Sequence, residues 1–312
     1  MTLSCIPLRF FLRARSSIYF PEGKPGNVLR GALGLAFRAI ACAPECIDTK
    51  SCPQGRSCAY ARIFEPSPAA GAPSGFADPP RPFVFRARQL SGAVLEPGTL
   101  FHFDVHLFDT QPATTTYFIA AFRDIAASGF GPRRGQAELE RVSLLDCEHR
   151  PVADLYDPGA GARVAGELEE VALSLAPDVE AGRIRIEFLT PTELRKEETV
   201  CEPPAFGFLF ARLRDRVSNL RALYGAGPLP LEFAALGQRA REVTLAGGAV
   251  RPVDTLRTSR RTGQTHPIGG IVGVAEYEGA LGEFLPYLRA AAWTGVGRHA
   301  VWGNGELRVS WS

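Results

Sequence analysis

A glycine-rich stretch near the C-terminus, from Thr294 to Val309, contains residues whose types and spacing suit chemistry. This stretch contains two Gly-x-Gly pairs separated by five residues, namely Gly295, Gly297, Gly303 and Gly305. Glycines in that number let the backbone adopt positive φ and approach a bulky anion closely. A dinucleotide fingerprint needs a strand before the glycines and a helix after them, whereas a terminal strand follows here. The pattern therefore predicts an anion-binding loop, with a glycine-rich hairpin that holds no ligand as the alternative.

Arg298 and His299 lie between the two glycine pairs, where they can meet an anion. His299 is the first candidate for a general base or a phosphate contact, and the alternative is a solvent-exposed loop histidine. His266 is the second candidate, in a Gln-Thr-His-Pro turn. A basic segment just before this turn can clamp phosphates or form an ordinary solvated surface, and it comprises Arg257, Arg260 and Arg261.

A second cluster of reactive side chains consists of four cysteines, Cys42, Cys46, Cys52 and Cys58. Four thiols over so short a loop suit a tetrahedral structural zinc ion. The spacings are three, five and five intervening residues rather than the two residues of a zinc knuckle. Free or disulfide-paired cysteines therefore remain the alternative to a zinc site.

A third group, His102, Asp104 and His106, alternates along one predicted strand and so shares one face of it. At about 3.3 Å per residue the two histidines are about 13 Å apart, which is too far for both to bind one ion. We therefore interpret this group as a polar face of a sheet.

The composition indicates a mildly basic globular protein of 312 residues with a formal net charge of +2. Lysine occurs only at positions 24, 50 and 196, so 35 − 3 leaves 32 arginines, which favour bidentate phosphate contacts and base stacking. A GC-rich genome is the alternative explanation of that bias. No apolar run is long enough to span a membrane, and the N-terminus does not have the pattern of a signal peptide. Seven cysteines without a secretion signal predict a cytoplasmic location.

The elements that must position these residues form the same pattern twice. Residues 1–150 predict strand, helix, two strands, helix and strand, with a cysteine- and proline-rich insertion at about 42–80. Residues 151–182 have the composition of an interdomain linker, and residues 183–312 repeat the order β-α-β-β-α-β with the glycine-rich loop before the last strand. The sequence therefore predicts an α+β protein with two ferredoxin-like domains in tandem, a topology shared with the RNA-recognition module.

The second half of the chain resembles the CRISPR-associated endoribonucleases that process precursor CRISPR RNA, which belong to the RAMP superfamily. The glycine-rich loop is similar to the C-terminal signature of that superfamily. The resemblance extends to the Gly-Gly strand at 269–274, the segment from Glu278 to Leu281 and the strand with its Thr-Pro sequence at 188–194. Arg257, Arg260 and Arg261 resemble the basic segment that precedes the Gly-Gly strand. The likeness is close from about residue 183 onward and looser before it, at 29–34 and 58–65.

The resemblance implies an RNA-binding enzyme that cleaves repeat RNA without a metal or other cofactor. In this reaction the ribose 2′-hydroxyl attacks the phosphate and leaves a 2′,3′-cyclic phosphate and a 5′-hydroxyl, which requires a base, an acid and cations. It also implies CRISPR repeat RNA, and other effector subunits, as partners, and no membrane.

The family pattern places the catalytic histidine near the first helix, aided by a tyrosine or lysine, and this chain departs from it. No histidine precedes His102, so the candidates near that helix are Tyr19 and Lys24. A non-catalytic subunit that binds guide RNA is therefore the alternative function. A ferredoxin-like enzyme or sensor for a small molecule is a third possibility, which no Ser/His/Asp constellation or phosphate loop in the chain supports.

Overall fold

The computed structural model describes residues 1–43, 45–49, 52, 54, 57–67, 79–164, 168–194, 203–258 and 265–312. The chain divides into two compact units. The N-terminal unit comprises residues 4–172 and 219–227, and the C-terminal unit comprises residues 1–3, 173–218 and 228–312. The boundaries of the domains and linker drawn from the sequence stay a prediction.

Six α-helices lie in this described part of the chain: α1 (Pro25–Ala41), α2 (Ala59–Phe64), α3 (Pro112–Ser128), α4 (Phe206–Tyr224), α5 (Phe233–Glu242) and α6 (Leu285–Thr294). Helices α1, α3 and α6 each carry a proline in the first turn, where the missing N–H would have no partner within the helix. None of the six combines the length and the apolar character that crossing a bilayer demands.

Fifteen strands lie in the same described ranges: β1 (Thr2–Ala14), β2 (Ile18–Tyr19), β3 (Phe83–Arg86), β4 (Val94–Leu95), β5 (Leu100–Leu107), β6 (Ala137–Leu145), β7 (Pro151–Asp157), β8 (Gly161–Ala162), β9 (Val171–Ser174), β10 (Arg183–Thr192), β11 (Thr244–Val253), β12 (Leu256–Thr258), β13 (Thr265–Pro267), β14 (Gly270–Glu278) and β15 (Leu307–Trp311).

The N-terminal unit is built on a sheet with the strand order β3-β5-β1-β6-β7-β8, in which β9 also pairs with β1. Strands β5 and β6 flank β1 in antiparallel register. On one face Phe10 of β1 stacks on Phe103 of β5, and both rings lie 4.9 Å from Phe122 of α3. Because side chains alternate along a strand, the neighbours of Phe10 and Phe103 point to the opposite, outer face.

The C-terminal unit contains an antiparallel sheet with the strand order β11-β14-β10-β15. The inward side chains of β10, Ile184 and Ile186, are fully buried. Phe210 of α4 and Phe284, which immediately precedes α6, have ring centroids 4.7 Å apart and complete the core. Strand β10 is thus central and buried on one face, so its end provides a fixed platform for whatever follows it.

The predicted β-α-β-β-α-β order is confirmed in both halves, as β1-α1-β3-β5-α3-β6 and β10-α4-β11-β14-α6-β15. The fold is therefore the predicted α+β arrangement of two ferredoxin-like units. Within residues 151–182, which the sequence predicts to be an interdomain linker, the structure has strands β7, β8 and β9. Strands β8 and β9, of two and four residues, show few alternations for a sequence pattern to reveal. The seven residues of β7 are exposed at 151–154 and buried at 155–156, so they do not alternate.

Candidate functional site

Residues 295–305, which we call the glycine loop, connect α6 to β15 along a path that requires glycine. Gly297 and Gly305 have φ of 79° and 70°. A Cβ atom at Gly297 would overlap the carbonyl oxygen of Glu193, and one at Gly305 would overlap the carbonyl oxygen of Val296. Any other residue at these two positions would force the loop to move, since the obstacles are backbone atoms. The positive φ that the clustered glycines predict is confirmed at all four of them, and anion binding by the loop stays a prediction.

The glycine loop is joined by hydrogen bonds to the end of β10. The backbone N–H of Arg298 donates to the carbonyl of Glu193 at 2.9 Å, and that of Gly305 donates to the carbonyl of Pro191 at 3.1 Å. The hydroxyl of Thr190 donates to the carbonyl of Gly303 at 2.8 Å and accepts the N–H of Glu306 at 2.9 Å. These bonds place the loop beside the Thr-Pro-Thr-Glu segment.

The end of β10 is free to meet the loop because its pairing with β14 is interrupted there. The register between the two strands shifts between Phe188 and Thr192. Pro191 lies inside this interval and has no N–H to donate to a ladder. The backbone of this segment therefore turns its hydrogen-bonding groups from β14 toward the glycine loop.

Glu193 organises the two candidate side chains of the loop. Its Oε1 accepts a hydrogen bond from Nη1 of Arg298 at 2.9 Å, and its Oε2 lies 3.3 Å from Nε2 of His299. The side chains of Glu193 and His299 are each only 18% exposed, whereas that of Arg298 is 48% exposed. One carboxylate thus holds a half-exposed guanidinium and a largely buried imidazole side by side.

The pKa of Glu193 reflects these contacts. Partial burial raises the pKa of this carboxyl, but the hydrogen bond from His299 and the charge and hydrogen bond of Arg298 outweigh burial. The net result is a pKa below the ordinary glutamate value, so Glu193 is an anion at neutral pH.

His299 has a backbone conformation that is uncommon for a residue with a side chain. Its φ of 63° lies in the left-handed region, where histidine is tolerated better than most residues. Its ring stacks on Trp302 with centroids 4.4 Å apart and an interplanar angle of 3°. The ring is therefore fixed by Trp302 on its face and by Glu193 at Nε2.

The remaining candidates from the sequence lie elsewhere. Backbone pairing in the β12–β13 hairpin sets Arg257 opposite His266. Arg260 and Arg261 lie outside the described residues. Tyr19 lies in β2, opposite Val94, and Lys24 immediately precedes α1, both in the N-terminal unit, whereas His266 and His299 belong to the C-terminal unit. The catalytic and RNA-binding assignments of all these residues stay a prediction.

The four clustered cysteines lie in the segment between α1 and α2. Cys42 follows the last residue of α1, and Cys58, which is buried, precedes the first residue of α2. None of these four described cysteines forms a disulfide. Burial, together with the nearby thiols of Cys58 and Cys46, raises the pKa of Cys42 to about 11. Within the described residues no three His, Cys, Asp or Glu side chains are arranged to hold a metal ion. Zinc binding therefore stays a prediction.

Sequence reasoning missed Glu193 and Trp302 as partners of His299. The sequence offered one signal for Glu193, its place directly after the Thr-Pro-Thr segment that the glycine-rich family pattern includes. It offered none for the stack on Trp302, because that contact depends on the left-handed turn at His299.

Two family models together match most of the chain. Residues 3–168 match a family model described as an N-terminal domain, and residues 186–307 match the model of the CRISPR-associated endoribonuclease Cas6. No curated protein matches the chain by sequence.

Several solved structures share the fold. A Cas6 product complex is 17% identical, with a TM-score of 0.58, and the match covers 99% of this chain and 100% of that chain. Thermus thermophilus Cas6 is also 17% identical, with a TM-score of 0.54 and 99% of each chain covered. A partial Cas6-RT-Cas1–Cas2 complex is 13% identical, with a TM-score of 0.56, over 99% of this chain and 46% of that chain.

At these identities the solved structures establish the shared fold. The match of residues 186–307 to the family model of the CRISPR-associated endoribonuclease Cas6 identifies this part of the chain as a Cas6 domain, which indicates a function in the processing of CRISPR RNA.

Proposed function

We propose that this chain cleaves precursor CRISPR RNA within the repeat, by attack of a ribose 2′-hydroxyl and without a metal ion. The observation that carries the proposal is the geometry of the glycine loop. Arg298 and His299 are fixed beside each other by one carboxylate, and 48% of the Arg298 side chain is open to solvent. A planar guanidinium with five N–H donors can keep its bond to Glu193 and still contact a phosphate.

The reaction needs three kinds of group around the phosphate. A base takes the proton of the 2′-hydroxyl while the 2′-oxygen forms a bond to phosphorus. An acid gives a proton to the 5′-oxygen as the P–O5′ bond breaks. Arg298 suits the third role, since a guanidinium stabilises the charge that develops on the phosphorane oxygens.

His299 is the first candidate for proton transfer, followed by His266, Tyr19 and Lys24. In His299 the Nε2 atom faces Glu193, so Nδ1 is the nitrogen left for RNA. The three other side chains are assigned from sequence position, and their part in the reaction depends on how RNA is seated.

The partners follow from the same chemistry. The ligand is CRISPR repeat RNA, and the mature CRISPR RNA is the product. Protein partners from the CRISPR machinery are supported by the structural match to a chain of a Cas6-RT-Cas1–Cas2 complex, of which this chain spans 46%. The six described cysteines form no disulfide, which suits a reducing, cytoplasmic location.

The proposal is tested by incubating the protein with a cognate repeat hairpin in EDTA. We expect one cleavage product with a 2′,3′-cyclic phosphate end. A hairpin with a single 2′-deoxynucleotide before the scissile bond is the matched control and should bind but stay intact. Uncut wild-type hairpin under conditions of tight binding would contradict cleavage.

A second candidate function is retention of guide RNA without cleavage, in an effector complex. It is favoured by helix α1, in which no residue from Pro25 to Ala41 is a histidine. Under this alternative, His299→Ala leaves both RNA affinity and function intact. A loss of cleavage in His299→Ala with unchanged affinity would reject the alternative.

A further inference from the structure

The outer face of the N-terminal sheet carries a row of three unlike side chains on adjacent strands. Phe11 of β1 lies directly opposite His102 of β5 on one side and Arg141 of β6 on the other. The ring centroids of Phe11 and His102 are 6.0 Å apart, and Cζ of Arg141 lies 4.2 Å from the centroid of Phe11. We call these three residues the stacking row.

The stacking row lies on the face opposite the helices. Phe10 and Phe103, the chain neighbours of Phe11 and His102, pack on Phe122 of α3. Side chains alternate along a strand, so Phe11 and His102 project from the other side of the sheet. They do so from β1 and β5, the adjacent central strands of the ferredoxin-like order β3-β5-β1-β6. A four-stranded sheet of this topology is a common platform for unpaired bases.

Exposure increases along this outer face toward the stacking row. His106 and Ser143, which project from the same face near its other end, are 1% and 0% exposed. Phe11 and His102 are half-buried, and the Arg141 side chain is 45% exposed. The stacking row is therefore both fixed by its neighbours and open to solvent.

On either side of the stacking row along β1, each outward arginine is paired with a carboxylate. Two residues before Phe11, Arg9 is bound by both oxygens of Asp104 at 2.7 and 2.8 Å. Two residues after it, Arg13 pairs with Glu140.

Within the described residues the guanidinium of Arg141 meets a carboxylate only at 3.9 Å, in Asp154, whose other oxygen accepts the hydroxyl of Ser143 at 2.6 Å. The charge of Arg141 is thus the least compensated of the arginine charges on these three rows.

We propose that the stacking row binds an unpaired base of RNA, held against Phe11 and the guanidinium plane of Arg141, with the edge of that guanidinium toward the adjoining phosphate. The inference rests on RNA being the ligand of this chain. Bases stack on phenylalanine, histidine and arginine planes, and a cation over an aromatic ring strengthens the platform.

The state of His102 supports stacking rather than ion pairing. Burial lowers the pKa of this imidazole, and the positive charge of Arg9 lowers it further, whereas Asp104 acts in the opposite sense. His102 is therefore a neutral ring at physiological pH, as a stacking partner should be. The stacking row supplies aromatic contact area and one positive charge. This combination suits one base with its phosphate rather than a long run of phosphates.

The test measures binding of two RNAs, a fluorescent oligoadenosine of about 12 nucleotides and the repeat hairpin without unpaired flanks. Phe11→Leu keeps apolar volume but removes the π face, and we expect it to weaken oligoadenosine binding about tenfold. Arg141→Ala should weaken it similarly and also reduce the salt dependence by about one phosphate contact, whereas Phe11→Leu leaves that slope unchanged. Binding and cleavage of the hairpin should stay as in the wild type.

Arg123→Ala is the matched control, because Arg123 is an exposed arginine of α3 paired with Asp124 and loses the same charge. Thermal unfolding of each variant checks that the fold is intact, and Arg141→Lys, which keeps the charge without the plane, serves if Phe11→Leu is unstable. Arg141→Lys should bind oligoadenosine more weakly than the wild type.

Oligoadenosine affinity that is equal in the wild type, Phe11→Leu and Arg141→Lys would overturn the proposal. So would an equal loss in Arg123→Ala. Loss of a co-purifying protein with RNA affinity unchanged would identify the row as a protein contact instead. Failure of hairpin cleavage in the wild type would count against the proposed reaction, while the oligoadenosine result still decides the stacking row.

Discussion

Two loops of this chain bear its candidate chemistry, and they are ordered by different means. The path of the glycine loop is set mainly by its own backbone, since Arg298 and Gly305 donate their N–H groups to carbonyls at the end of β10. The loop from Cys42 to Cys58, which we call the cysteine loop, is held in its described residues mainly by side chains. Arg38 of α1 donates from Nη2 to the carbonyls of Cys46 and Ile47, at 3.1 and 2.9 Å.

The difference teaches which substitutions each loop will tolerate. A backbone path that passes close to other backbone atoms fails when a single methyl group is added, whatever its chemistry. A loop held by side chains fails when those side chains or their ligand are removed. The four predictions below, in order of expected effect, test this contrast.

The largest effect is expected from Gly305→Ala. A Cβ atom there would overlap the Val296 carbonyl oxygen, and φ at this position is 70°, so the loop must move. A shift of about 1 Å at the phosphate contact should lower RNA cleavage about 100-fold or more in single-turnover assays.

The matched control is Gly237→Ala in α5, where only the flexible end of Arg214 lies near the added methyl group, at 3.6 Å. This variant should cleave as fast as the wild type. Wild-type cleavage in Gly305→Ala would show that the loop path is not required.

The second effect concerns the cysteine loop and zinc. If the four cysteines hold zinc, the purified protein should contain about one zinc ion per chain by elemental analysis, and Cys58→Ser should lose it. Because metal binding contributes to folding, Cys58→Ser or treatment with a strong chelator should lower Tm by about 5 °C.

Cys147→Ser is the control, since Cys147 is an exposed free thiol outside the cluster. It should keep its metal and its Tm. Wild-type protein without zinc, whose Tm does not respond to the chelator, would contradict the prediction.

The third prediction is a pH dependence that Glu193 brings to the glycine loop. The pKa of Glu193 in the folded protein lies below its ordinary value of 4.5, so its contacts stabilise the protein fully above that pH. The stabilisation is lost as the pH falls through the lower, folded pKa. We expect Glu193→Gln to have a Tm about 2 °C below the wild type at neutral pH, and the difference to shrink below about pH 4.5.

The control for this prediction is Glu278→Gln, which removes an exposed carboxylate of β14 that pairs with Arg183 at 3.3 Å. Exposed ion pairs contribute little, so its Tm should match the wild type. A Glu193→Gln difference that stays constant on acidification would argue against an ionised Glu193 as the organiser of the loop.

The smallest effect is expected from Arg38→Ala. Its two hydrogen bonds to the cysteine loop are exposed, so Tm should fall by only about 1 °C in the metal-loaded protein. With a chelator present the drop should be larger, because the guanidinium then supplies more of the order in the loop. Arg251→Ala, at an exposed position of β11, is the control and should be neutral in both conditions. A fall in Tm that is the same with and without the chelator would show that Arg38 acts independently of the metal.

Long amphipathic elements were predictable from the sequence, whereas several short ones were not. Helix α3 and strand β10 present several periods of buried side chains, so their patterns predicted them correctly. Helix α2, with six residues, and strand β9, with four, are too short for a period to be recognised.

The candidate site was predictable only in its backbone. Clustered glycines signal positive φ locally, whereas Glu193 and Arg298 are 105 positions apart and Phe11 and Arg141 are brought together only by sheet register. Such pairs depend on the tertiary fold, which a single sequence does not specify residue by residue.

The division of the chain into its two units has a practical consequence for dissecting the protein. The N-terminal unit includes residues 219–227, and Tyr224 in this piece donates its hydroxyl to the carbonyls of Arg62 and Pro80, at 3.1 and 3.3 Å. A recombinant fragment that stops at residue 172 would omit this tyrosine and the segment around it. Truncation at the apparent boundary in sequence is therefore a poor way to isolate either half, and point substitutions in the intact chain are the better instrument.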